Sequence, residues 1–133
     1  MLRRHCILCF CFLLPTVAYG QDSLAASCDS AVTTFEMRQC TSRKLERAKS
    51  ELQRYLGEAR RLALNGKLLD SAQVAWERFR DVECRASGAQ YEGGTMQPLV
   101  VLSCLESLTR ERIRHLYDDY IRTSDSPLPE PKP

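Results

Sequence analysis

The 133-residue chain carries little net charge, 19 basic against 17 acidic residues, or +2. Arg3 and Arg4 are the only charged residues among the first 20, and without them 17 basic residues face 17 acidic ones. A grip on nucleic acid needs a strong basic surplus, so nucleic acid is excluded as an expected partner. Histidine is scarce: after His5 there is only His115, on a predicted helix with no nucleophile motif beside it. The chain has no phosphate-binding glycine loop, no haem motif and no His/carboxylate metal spacing. Asp118 and Asp119 are neighbours on a helix and point apart, which is a poor arrangement for a catalytic pair. These absences argue against an enzyme and against a resident cofactor or metal. No alternating strand pattern occurs either, since the β-branched pair Val100-Val101 is short and sits in a helical stripe.

Long apolar runs are also missing, with one exception. Residues 6–14 are uncharged and mostly apolar; Arg3, Arg4 and His5 precede them, and Pro15 and Ala18-Tyr19-Gly20 follow. A basic start, a short apolar run and small residues at −3 and −1 describe a signal peptide, 1–20, cut after Gly20. The run is too short to span a bilayer comfortably, so no stable membrane span is expected after cleavage. The location expected is periplasmic or secreted.

Three of the seven cysteines, Cys6, Cys9 and Cys11, fall inside that leader as soft apolar residues. Cys28, Cys40, Cys84 and Cys104 remain, an even number in a small exported chain, which implies disulfides. Their spacings lack the close pairs of a zinc site.

The body of the chain reads as all-α. Thr33 and Glu36 form a capping box that starts a first helix. Apolar residues at 45, 48, 52, 56, 59 and 63 mix steps of three and four, which gathers them on one face. Asn65-Gly66 is expected to close this helix of about 30 residues by adopting a left-handed conformation. A second helix is expected from Leu68 to Ala86, with Leu68, Ala72, Ala75, Trp76, Phe79, Val82 and Ala86 as its inner stripe. Ser87 to Gln97 reads as a loop. Pro98 or Leu99 opens a third helix carrying Val101, Leu105, Leu108, Ile113, Leu116, Tyr120 and Ile121. Ser124 to Pro133 holds four of the six prolines and reads as a disordered tail. The expected architecture is a small three-helix domain, 21–123, closed around Tyr55, Trp76, Phe79 and the leucines.

Four cysteines allow three pairings. Cys28–Cys40 folds a lead-in back along the first helix, and Cys84–Cys104 joins two antiparallel helices near their connecting loop. The crossed pairings stay open, because they need only the start of helix one beside that hairpin.

The succession Glu36-Met37-Arg38-Gln39-Cys40, then Leu52 and Tyr55, then Ala72-Gln73-x-x-Trp76-x-x-Phe79-Arg80-Asp81-x-x-Cys84, Gly93-Gly94-Thr95, Cys104-Leu105 and Leu108-Thr109-x-x-Arg112 resembles the lysozyme-inhibitor LprI-like N-terminal domain family. The resemblance covers about residues 28–122. It departs from the family pattern at Lys49 and Gly57. It implies an exported, disulfide-bonded helical protein and, for some members, inhibition of lysozyme. A lysozyme or another peptidoglycan hydrolase is therefore the expected partner.

Two groups of residues stand out as candidate sites. Tyr91, Glu92, Gly93, Gly94 and Thr95 offer an aromatic ring, a carboxylate and two glycines near a predicted disulfide. A protruding turn on a rigid base enters an enzyme cleft with little ordering cost; the plainer reading is a helix connection folded against the core. Arg80 and Asp81, beside Trp76, read as an ion pair or cap locking helix two to its neighbours, or else as a recognition patch. Trp76 reads as a core anchor.

Charge separates the two halves. Residues 34–64 hold eight basic and four acidic residues, whereas 86–122 hold four basic and five acidic ones. A basic lysozyme is better met by the second segment. Within helix one, ion pairs are expected at Arg47–Glu51, Arg54–Glu58, Glu51–Arg54 and Glu58–Arg61. The alternative function is a non-inhibitory envelope interaction module, or an immunity or accessory partner of another cell-wall enzyme, with basic helix one as its contact.

Overall fold

The structure is a computed structural model that describes residues 31–132. The leader, its expected cleavage point and Cys28 lie outside the described residues. Three helices follow one another: α1 (Thr34–Leu62), α2 (Gly66–Ala89) and α3 (Gln97–Leu116), the last extended by a π-helical turn, Tyr117–Ile121. No strand occurs among the described residues.

The start of α1 is the expected capping box. Thr33 Oγ1 accepts from the Glu36 amide at 3.2 Å, while Glu36 Oε2 accepts from the Thr33 and Val32 amides at 3.0 Å each. These backbone donors hold the Glu36 carboxyl below its ordinary range, the Thr33 amide contributing most. The other end of α1 differs from expectation. The helix stops at Leu62 with Ala63 extended, and Asn65 is the cap of α2, its Oδ1 accepting from the Leu68 amide at 3.0 Å. Gly66 is already helical. Asn65-Gly66 therefore opens the second helix instead of closing the first with a left-handed residue. Asparagine at an N-cap satisfies an orphan amide, and the short connection leaves no room for a separate terminator.

α3 packs against both other helices, whereas α1 and α2 touch little. The core is built from α1 (Leu52, Tyr55, Leu56, Ala59), from α3 and its π turn (Ile113, Leu116, Ile121), and from Leu69 of α2. Burying side chains such as Leu56, Ile113 and Leu116 contributes about 1.5–3 kcal/mol each. The predicted stripe of α1 faces this core, with Leu45 and Ala48 buried as well.

The predicted stripe of α2 does not face the core. Phe79 is 54% exposed, and Leu68 and Val82 are also exposed. The line that packs inward is Leu69, Gln73, Trp76, Arg80, Cys84 and Gly88, rotated around the helix from the apolar residues. Phe79 is thus no core residue, and Trp76 is half-buried at the core's edge. The physical reason is polar satisfaction across the α2–α3 contact, described below.

The proline-rich segment also departs from expectation. Residues 124–132 form neither helix nor strand, yet they lie along the domain instead of forming a disordered tail. Leu128 packs on the core and Pro131 is buried. The Tyr55 hydroxyl donates to the Pro129 carbonyl at 2.6 Å, and Arg114 donates to the Pro131 carbonyl at 3.4 Å and lies 3.7 Å from Glu130. Ser126 donates to the Glu58 carboxylate. Prolines pre-stiffen the segment, so docking it orders fewer degrees of freedom. A fixed strap also gives the buried Tyr55 hydroxyl its acceptor. Burial pushes the Tyr55 hydroxyl's pKa up.

Candidate functional site

Cys84 of α2 and Cys104 of α3 are joined, with Cα atoms 5.4 Å apart and a 2.01 Å S–S bond. This observed bridge removes both crossed pairings of the four cysteines. Cys40 is buried, and its expected partner Cys28 lies outside the described residues. Four residues beyond Cys84, Gly88 remains helical because α3 comes close: a Cβ there would lie 2.3 Å from Val101 Cγ2. Glycine thus marks a close approach here, not the start of the loop expected at 87.

The loop itself is short, 90–96, and all of its residues are exposed. It is a wound turn. The Tyr91 amide donates to Gly88 O at 3.0 Å, Glu92 to Ala89 O at 3.2 Å, Gly94 to Tyr91 O at 3.0 Å and Gln97 to Gly94 O at 3.2 Å. Gly93 has φ +75°, the left-handed conformation that suits glycine. Tyr91 is 49% exposed, and Met96 stands exposed at the other side of the turn. Tyr91, Glu92, Gly93, Gly94 and Thr95 are therefore brought together as a hydrogen-bonded tip above the Cys84–Cys104 bridge.

Below that tip, polar groups fill the α2–α3 seam. Arg112 Nε donates to Gln73 Oε1 at 3.1 Å, and Gln73 Nε2 donates to Glu77 Oε1 at 3.0 Å. Arg80 Nη2 lies 2.8 Å from Asp81 Oδ1, and Arg80 Nη1 reaches Thr109 Oγ1 at 3.4 Å. Thr109 donates in turn to Leu105 O at 2.6 Å. The guanidinium carbons of Arg80 and Arg112 lie 5.1 and 5.9 Å from the Trp76 ring centroid, within cation–π range. Gln73 and Thr109 are buried, so each needs the partner it has.

A cleft of about 530 Å³ opens at the far end of α2, lined by Leu62, Leu64, Leu68, Ala72, Asp119 and Tyr120. It holds no cluster of titratable groups. Among the described residues, no group of three His, Cys, Asp or Glu side chains is placed to hold a metal. No helix among them is long and apolar enough to cross a membrane.

The family model for lysozyme inhibitor LprI matches residues 25–116. The chain belongs to the LprI family. That family is described by lysozyme inhibition. The chain is also similar to an uncharacterized protein of Rhizobium meliloti (strain 1021), 44% identical over 48 residues, which is 36% of this chain and 34% of that protein. The matched stretch thus covers about a third of that relative's length. No solved structure matches the chain.

In this LprI-family chain, the resemblance motifs fall into two groups. Gln73, Trp76, Arg80, Cys84, Leu105, Thr109 and Arg112 assemble in one α2–α3 seam, whereas Asp81 is exposed and pairs with Arg80 on the same helix, so only Arg80, through Thr109, reaches across to the neighbouring helix. Phe79 of the same motif is excluded from that seam. Sequence reading missed Gln73, Thr109 and Arg112 as interior polar residues. The spacing 73, 76, 80, 84 was the available signal, a helical line that runs through polar side chains. Among the ion pairs expected on α1, Glu58–Arg61 forms at 2.7 Å, while Glu51 turns toward Arg110 of α3 at 4.0 Å.

Proposed function

We propose that this chain is exported and inhibits lysozyme-type peptidoglycan hydrolases by inserting the α2–α3 turn into their substrate cleft. Family membership over residues 25–116 is the observation that carries the inhibitory reading. The turn is the favoured contact because it is exposed, internally hydrogen-bonded and held at its base by a disulfide. Such a tip has already lost most of the freedom that binding would otherwise remove. Tyr91 supplies apolar area and Glu92 a carboxylate. Glycosidase clefts use two carboxylates beside sugar-binding donors, so Tyr91 fills sugar-binding space and Glu92 accepts from those donors. In this reading residues 1–20 are the leader, the location is periplasmic or secreted, and Cys28 closes on Cys40.

Inhibition of peptidoglycan lysis by a panel of c-, g- and i-type lysozymes tests the proposal. The oxidised protein is expected to slow at least one of them, and Tyr91→Ala with Glu92→Ala is expected to weaken that inhibition about tenfold or more while helical content stays unchanged. No inhibition at high excess rejects the function; inhibition untouched by the double variant rejects the turn as the contact. Recovery of an endogenous envelope partner, with no effect on any lysozyme, would favour an interaction module instead.

A further inference from the structure

The rotated packing of α2 leaves an ordered feature on its outer side. Leu68, Ala72, Ala75, Phe79, Val82 and Ala86 are all exposed. Their spacing runs 4, 3, 4, 3, 4, the alternation of a two-stranded coiled-coil seam. Counting 3.6 residues per turn, this stripe lies roughly 130° around the helix from the line that packs on α3. Nothing within the described domain covers it, and exposed apolar stripes of this kind mark interaction sites.

The residues flanking the stripe identify what fits it. Arg78 borders one side and Glu83 the other, both exposed. Among the described residues neither takes part in an ion pair. They stand too far apart around the helix to pair with each other. Two such helices side by side and parallel set residue 78 of one beside residue 83 of the other, the flanking positions that fix partner and orientation in coiled coils. Both unpaired charges are then matched twice over. An antiparallel arrangement sets Arg78 against Arg78. The alanines at 72, 75 and 86 let the backbones approach, and Leu68, Phe79 and Val82 supply the interlocking side chains.

We infer that the outer face of α2 is a parallel homodimer interface, with a second copy of this chain as its occupant and Arg78 paired to the partner's Glu83. This goes beyond the inhibitory reading and is separate from the turn at 90–96. The two-fold axis runs along α2, so both turns emerge at the same end of the dimer. The symmetric particle thus presents two tips on one side.

Sedimentation equilibrium of the oxidised chain from about 1 to about 200 μM tests this directly. A reversible monomer–dimer equilibrium is expected, with Phe79→Glu raising the dissociation constant about tenfold or more. Arg78→Glu and Glu83→Arg are each expected to weaken it about two- to fivefold, and the double swap to return it to within about twofold of the parent. Circular dichroism checks that each variant is folded, and Val82→Lys serves if Phe79→Glu disturbs the helix. A chain that stays monomeric throughout overturns the inference. So does a dimer indifferent to Phe79→Glu and Val82→Lys, or a double swap weaker than either single change. A monomer whose lysozyme inhibition is lost on Phe79→Glu assigns the stripe to the enzyme and equally overturns it.

Discussion

On α2, Gln73, Arg80 and Cys84 face the rest of the domain, while Leu68, Phe79 and Val82 face outward. A count of hydrophobicity alone would have reversed the two faces. The inner face prevails because its polar groups find partners on α3: Gln73 with Arg112, Arg80 with Thr109, Cys84 with Cys104. A satisfied hydrogen bond adds about 0.5–1.5 kcal/mol, and stranding a buried group costs about 1–3 kcal/mol. Once the disulfide and Gly88 bring α2 and α3 together, rotating the helix to bury Phe79 would break several such contacts at once. The outer face is then free to carry an apolar stripe without any role in holding the domain.

The contrast can be broken most forcefully at the disulfide. Cys84→Ala with Cys104→Ala opens a loop with a sequence separation of 20 and is expected to lower unfolding free energy by about 3 kcal/mol, read from urea denaturation. At Gly88, alanine brings a Cβ against Val101. A loss of about 1–3 kcal/mol is expected there, because overpacked atoms must shift, and adding Val101→Ala should restore part of it. Equal losses with and without that second change would deny the close approach.

The 124–132 strap sharpens the comparison from another side, since it covers the core where α2 does not. Tyr55→Phe removes the donor to Pro129 O and is expected to cost about 1 kcal/mol. The strap also carries a pH dependence. Arg61, first, and then Ser126 hold the Glu58 carboxyl at about 2, below its reference value of 4.5. A carboxyl depressed in the folded chain stabilises it fully above the unfolded value, and that contribution fades as pH falls from about 4.5 toward 2. The hydrogen-exchange protection along 124–132, taken relative to the intrinsic exchange rate at each pH, should therefore fall over that interval, and Ser126→Ala should reduce the change. A protection pattern that is flat with pH would contradict the Glu58–Ser126 contact.

Much of the architecture was legible in the residues, and particular features explain why. Thr33 and Glu36 announce the start of α1 because a capping box is a local interaction three residues long. The α1 stripe could be read because apolar periodicity and burial coincide there. The Cys84–Cys104 pairing followed from two antiparallel helices joined by a turn. What could not be read depends on contacts distant in sequence. The inward face of α2 depends on Gln73 meeting Arg112, 39 residues away. The strap depends on Tyr55 meeting Pro129, 74 residues away. Asn65-Gly66 was ambiguous for another reason, since the same pair suits the end of one helix and the beginning of the next. In the candidate site, the turn's residues were visible as a group, whereas their hydrogen-bonded winding and the single left-handed Gly93 were not.

The division of labour on α2 is tested most directly by urea unfolding of Gln73→Ala and Phe79→Glu, side by side with the parent, at a concentration where the chain is monomeric. Gln73→Ala is expected to lose about 1–3 kcal/mol by stranding Arg112 and opening the seam, and Phe79→Glu to stay within about 0.5 kcal/mol of the parent. Comparable losses from the two variants, or a larger one from Phe79→Glu, would contradict the assignment of the polar face to the fold and the apolar face to association.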